Sequence, residues 1–141
     1  MQLTEDNVAD YAHTLIERVS TGGHLLDYSE TSLIVLENLI RRSDNALQSP
    51  ELPVAHRDIA VFYNGCYLGE VLSRNLGGVW HFESPWPDTS LVFRRNDGTG
   101  LQVFPFQKLF RRIAEGPEHN DLVDYYNGIK EYLADTTKNA V

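Results

Sequence analysis

Five histidines and a single cysteine are the residues of this chain best suited to bind a metal or attack a substrate. His13, His24, His56, His81 and His119 are scattered along it. No pair has the i, i+4 spacing that sets two imidazoles on one helix face, and no second cysteine accompanies them. The spacing predicts surface or structural histidines, and neither a metal nor a cofactor is expected. Cys66 would need a histidine beside it in space to act as a nucleophile. It falls on a helical stripe with Ile59, Phe62 and Tyr63, which predicts a small buried hydrophobe instead. The chain has no Gly-x-Ser-x-Gly elbow, no phosphate loop and no Gly-x-Gly-x-x-Gly. Asn96-Asp97-Gly98-Thr99-Gly100 is glycine-rich, but a turn between strands explains it.

Glu70 is the best single candidate for a functional acid. Helical spacing runs from Ile59 through Tyr63 and Cys66 to Glu70, placing a carboxylate on or beside an apolar face. Such a group needs a partner or takes up a proton. A general base or a ligand contact, in a pocket with Trp80 and the arginines, is one reading. A salt bridge to Arg74, Arg111 or Arg112 is the preferred one, because structural ion pairs also perturb buried acids. Arg94, Arg95, Lys108, Arg111 and Arg112, interleaved with Trp80, Trp86, Phe104 and Phe106, make a basic and aromatic mixture of the kind a nucleic-acid reader uses. A net charge of −8 argues against that role and for internal compensation by the acidic ends of the chain.

The elements that would position these groups can be read from periodicity. A first helix is expected from a Thr4 cap, with Val8, Ala12, Leu15, Ile16 and Val19 inward, stopped by Gly22-Gly23. A second follows Asp27 or Ser29, with Asp27 and Glu30 resembling a capping box and Leu33, Leu36, Leu39 and Ile40 buried. Asp44 to Pro53 reads as a polar loop. A third helix spans about Asp58 to Leu76. Gly65 and Gly69 share one of its faces, and each costs ~1 kcal/mol against alanine, so another backbone or a ring should pack there. Gly77-Gly78 ends it in left-handed geometry. Strands are expected at Val79–Glu83, Leu91–Arg95 and Leu101–Phe104, the last two joined by the Asn96–Gly100 turn. Ser84–Thr89 is a loop. A short helix covers Phe106 to Ala114, and a last one begins near Asn120 with Leu122, Tyr126, Ile129 and Leu133 inward. The tail Thr136–Val141 is expected to fray. The order predicts an α+β fold: N-terminal helices, a small antiparallel three-stranded sheet and C-terminal helices.

Size predicts a single domain over residues 1–141. One cysteine cannot form an internal disulfide, which fits a reducing cytoplasm. The opening Met1–Asp6 carries acids where a signal peptide carries lysine or arginine. No stretch approaches the ~20 apolar residues of a membrane span. Residues 1–56 hold nine acids and three bases, residues 57–114 five and seven, and residues 115–141 six and two. This map predicts acidic surfaces on the first, second and last helices, with Asp10, Glu17 and Glu37 as candidate contacts for a basic protein partner.

Tyr67-Leu68-Gly69-Glu70-Val71, Gly77-Gly78-Val79-Trp80 and Pro105-Phe106-Gln107-Lys108-Leu109-Phe110-Arg111-Arg112-Ile113 together resemble a family of small bacterial proteins of unknown function. Gly116, Asp121, Tyr125 and Tyr126 continue the pattern, and Leu26-Asp27-Tyr28-Ser29 with Ser32-Leu33 opens it. The resemblance covers residues 25–133 or so. It implies a bacterial origin and a shared fold, but no catalytic residues. Relatives of this general kind look like immunity or accessory proteins, which implies a binding role. The reading that results is a non-enzymatic protein-binding domain, an immunity-type inhibitor of a toxin. The alternatives are a small-molecule binder or enzyme using Glu70, and a nucleic-acid-associated regulator. Glu70, Trp80, Arg111 and Arg112 are the candidate functional or buried polar residues.

Overall fold

A computed structural model describes residues 2–134. Its elements are α1 (Val8–Ser20), α2 (Ser32–Leu47), α3 (Val54–Leu76), β1 (Val79–His81), β2 (Ser90–Arg94), β3 (Gly100–Val103), α4 (Pro105–Glu115) and α5 (Leu122–Ala134). A single 3-10 turn, Trp86–Asp88, lies between β1 and β2. This is the expected α+β arrangement, with helices before and after an antiparallel sheet of order β1-β2-β3. The expected fraying of Thr136–Val141 lies outside the described residues. Among the described residues no helix is long and apolar enough to cross a membrane.

α3 is the central element. It packs against α1, α4 and β2, while α2 packs against α4 and α5. Enclosure on several sides buries it all round: Val61, Phe62 and every residue from Gly65 to Leu72 are buried. The expected one-sided stripe is therefore too narrow. Ile59, assigned inward by spacing, is 45% exposed because it lies toward the less covered N-terminal end.

The register sorts the strands into two faces. Trp80 pairs with Leu91, Leu91 with Val103, and Phe93 with Leu101. These side chains join the core or pack against it, whereas Val79, His81 and Arg94 are exposed. Trp86, assigned to a loop, sends its ring into the aromatic core, 5.1 Å from both Phe62 and Phe106.

The element boundaries differ from expectation at three helix starts. Thr4 does not cap α1. Its C=O accepts from the N–H groups of Asn7 and Val8, and the Asn7 side chain closes the turn by accepting from the Thr4 N–H at 2.8 Å. Asp27 and Glu30 form no capping box. Asp27 accepts from the Ser29 N–H, Ser29 Oγ accepts from the Ser32 N–H, and Glu30 turns away to Lys130 at 2.8 Å. α2 continues through Asp44 to Leu47, and α3 begins at Val54 directly after Pro53, so the polar loop is shorter than composition suggests. A proline just outside a helix start is compatible with the helix, because the first N–H groups lack intrahelical partners anyway.

Candidate functional site

The glycine face of α3 explains where Glu70 goes. A Cβ at Gly69 would lie 2.0 Å from Cη2 of Trp80, and one at Gly65 would lie 2.4 Å from Cδ1 of Phe106. The two glycines thus admit two aromatic rings against the helix, as their spacing predicts. Gly77 then ends α3 at φ 80°, turning the chain back so that Trp80 on β1 reaches that face. With the indole seated there, its Nε1–H donates to Oε2 of Glu70 at 2.9 Å. The other carboxylate oxygen, Oε1, accepts from Nη2 of Arg74 at 3.1 Å. Glu70 and Arg74 are one turn apart, with the acid on the N-terminal side, the favourable order.

The cluster extends outward from Arg74. Its guanidinium lies 3.7 Å from the ring centroid of Tyr28, which in turn stacks on Tyr67 at 5.3 Å. Tyr28 has φ 66°, a left-handed conformation that a large side chain adopts only when held. It is held at both ends. Its N–H donates to the Tyr67 hydroxyl at 2.9 Å and its C=O accepts from Asn75 Nδ2 at 2.8 Å. The Tyr67 hydroxyl also meets Ser32 Oγ at 2.6 Å. Burial pushes the Tyr28 and Tyr67 hydroxyls up in pKa. Both Glu70 oxygens are thus occupied by the protein's own donors, which is the ion-pair reading, with Arg74 rather than Arg111 or Arg112 as partner.

Arg112 lies in a second cluster and is fully buried. Its Nη2 donates to Oε2 of Glu37 at 2.7 Å, its Nε reaches both Glu37 oxygens at 3.0 and 3.1 Å, and its Nη1 donates to Oδ1 of Asp44 at 2.9 Å. Burial opposes the charge of Arg112, but these bonds outweigh it and its pKa rises. Glu37 further accepts from the Leu122 backbone N–H at 2.9 Å and from Arg41 Nε at 3.0 Å. Arg41 continues to Asp121 at 2.8 Å, and Asp121 accepts from the N–H groups of Val123 and Asp124 at the start of α5. One connected set of charges therefore ties α2, α4 and α5 together.

This network corrects the charge map. Glu37 is only 3% exposed and is committed to Arg112, so it does not belong to an acidic surface. Asp44 faces the same arginine. The charged groups α2 leaves on the surface are Arg41 and Arg42, and the acidic face assigned to it is not there. Asp10 and Glu17 on α1 are exposed, with Glu17 beside His13 at 3.1 Å. Of the paired arginines, Arg111 is exposed where Arg112 is buried.

The remaining chemistry-bearing residues stay apart. Among the described residues no group of three His, Cys, Asp or Glu is placed to hold a metal ion. Burial pushes the Cys66 thiol well up, and the charge of Glu70 adds to this, so its thiolate is suppressed. The basic and aromatic mixture does not form one surface: Phe106 is buried, and Trp80 and Trp86 pack against it at 6.3 and 5.1 Å. Sequence reasoning missed the partnership of Glu37 and Asp44 with Arg112, whose residues are 75 and 68 positions apart. The local signal it could have used is the i, i+4 spacing of Glu37 and Arg41. Comparison with known proteins gives no match to any family model, curated protein or solved structure.

Proposed function

We propose that this chain is a non-enzymatic protein-binding domain that presents the acidic surface of α1 to a basic partner, in the manner of an immunity-type inhibitor of a bacterial toxin. The observation that carries the reading is how its charges are divided. The buried charged groups, Glu37, Glu70 and Arg112, hold one element to another. The segment leading into α1 and α1 itself expose Glu5, Asp6, Asp10 and Glu17 against a single arginine, Arg18. A set of internal ion pairs beside a face with four exposed acids, one arginine and the His13–Glu17 contact suits recognition by surface charge, which chiefly speeds encounter. The central motifs resemble a family of small bacterial proteins of unknown function, some of whose relatives look like immunity or accessory proteins, and this adds to the reading. The test is capture of a partner from the native host, followed by association kinetics. A basic protein should associate more slowly as salt rises, and charge reversal at Asp10 and Glu17 should slow it further. A tight, salt-sensitive complex with DNA or RNA, lost on replacing Arg94, Arg95 and Arg111, would replace this reading with that of a nucleic-acid-associated regulator.

A further inference from the structure

A cleft of about 240 Å³ opens between the end of β3, the first turns of α4 and α5. It is lined by Gln102, Val103, Phe104, Gln107, Lys108, Arg111 and Tyr125. Its two charged side chains are both cations, in a chain of net charge −8. Lys108 is half-buried, and its ammonium is held by uncharged groups: Asn120 Oδ1 at 3.2 Å, the His119 C=O at 3.5 Å and the Tyr125 ring at 5.0 Å. An ammonium has three donors, so these two oxygens leave at least one. Arg111 meets no carboxylate within ion-pair distance among the described residues. Two acids, Glu115 and Asp121, act on Lys108 without reaching ion-pair distance, and each is hydrogen-bonded to another group. Asp121 pairs with Arg41 and caps α5, and Glu115 accepts from Asn120 Nδ2 at 3.4 Å. Burial, and then the neighbouring Arg111, push the Lys108 pKa down, against a smaller opposing pull from Glu115 and Asp121. The first turn of α4 borders the same cleft and has no side-chain cap, with Pro105 at its start. Its N–H groups therefore add a positive end to the two cations.

We propose that this cleft binds a small oxyanion, a phosphate or carboxylate group, between Arg111 and Lys108 at the start of α4. Arg111 supplies the planar fork that matches two oxygens, and Lys108 a point charge held in place by Tyr125 and Asn120. The size limits the ligand. The volume is below the roughly 300–1,000 Å³ of pockets that enclose drug-sized molecules, so a single anionic group or a small metabolite fits better than a nucleotide. The site is independent of the acidic α1 surface and stands or falls without it.

The test is an amide NMR titration of the whole chain with potassium phosphate, against potassium chloride at matched ionic strength, with acetate as a carboxylate arm. Saturable shifts at Gln107, Lys108 and Arg111 are expected with phosphate or acetate and not with chloride. Arg111→Gln, at an exposed position, should weaken binding by about tenfold or more, as loss of a charge-assisted pair does. Arg94→Gln, an exposed arginine on β2 outside the cleft, should leave it unchanged. A further arm adds vesicles of phosphatidylcholine containing phosphatidic acid. Vesicle binding displaced by free phosphate would support the site and assign its anion to a lipid headgroup. Equal shifts in chloride, or an affinity unchanged in Arg111→Gln, would overturn the proposal.

Discussion

Replacing Arg112 with methionine should be among the most damaging single changes in this chain. At an effective dielectric of about 20, each attraction at 2.7 Å to Glu37 and 2.9 Å to Asp44 is worth about 6 kcal/mol before desolvation is counted. Desolvating three charges offsets most of that, so the whole network adds little net stability. Removing only the arginine is another matter, because the desolvated carboxylates stay behind. Loss of one member of a buried pair costs about 3–5 kcal/mol. Here the lower end is expected, since Glu37 keeps Arg41 and the Leu122 N–H, and Asp44, 18% exposed, can regain water. A loss of about 3 kcal/mol corresponds to a fall in Tm on the order of 10 °C for a chain of this size. The assay is urea unfolding followed by far-UV circular dichroism, with the slope checked for constancy. Arg112→Lys should lose much of the same stability, because an ammonium cannot bridge both acids with the same fork. Adding Glu37→Leu to Arg112→Met should recover part of the loss, since the stranded carboxylate then goes too. An Arg112→Met variant within about 0.5 kcal/mol of the parent, the range of ordinary surface substitutions, would refute the reasoning.

Three further outcomes are expected. Gly69→Val should destabilise by at least about 2 kcal/mol through overpacking, because its Cβ would sit inside the Trp80 ring and displace the indole from Glu70; an unchanged or higher Tm would show that the ring has room to move. Cys66 should react with a thiol reagent far more slowly in native buffer than in urea, since burial raises its pKa and excludes the reagent; fast native labelling would contradict this. The Asp121 carboxyl is held below its ordinary 3.8, because the Asp124 and Val123 N–H groups and Arg41 together outweigh the opposing effect of burial. A depressed carboxylate contributes stability above its unfolded pKa and loses it as pH falls through the folded one. Asp121→Ala should therefore cost about 1 kcal/mol at neutral pH, as loss of a helix cap does, and the difference from the parent should shrink below pH 3.8; a gap that stays constant into acid would mean that the charge plays no part.

Much of the fold was legible because its signals are local. The Gly77 stop and the Asn96–Gly100 turn each depend on a few adjacent residues. The glycine face of α3 was legible for the same reason: two glycines one turn apart carry a propensity cost that only close packing offsets. The sequence could say that something packs there, but not that Trp80 and Phe106 do, because those partners arrive from other elements. Glu70 was legible halfway. Its helical position announced a buried acid, and its partner Arg74 was one of three candidates, separated from it by a single turn. The charge map failed at α2 for a definite physical reason. Net charge per segment assumes that charges face water, and Glu37 and Asp44 face Arg112 instead. A charge tally cannot distinguish an acid that neutralises a buried arginine from one that meets a partner, because the difference lies in a contact between distant positions. The same argument raises the standing of what remains unpaired. Once Arg112, Glu37, Asp44, Glu70 and Arg74 are committed internally, the exposed acids leading into and along α1, and Arg111 with Lys108 beside the α4 cleft, are charges that form no ion pair among the described residues beyond the His13–Glu17 contact. Charge left unneutralised by the fold is charge available to a ligand, and here the two signs lie on different elements, which is why the proposed acidic docking face and the proposed oxyanion cleft can be tested separately.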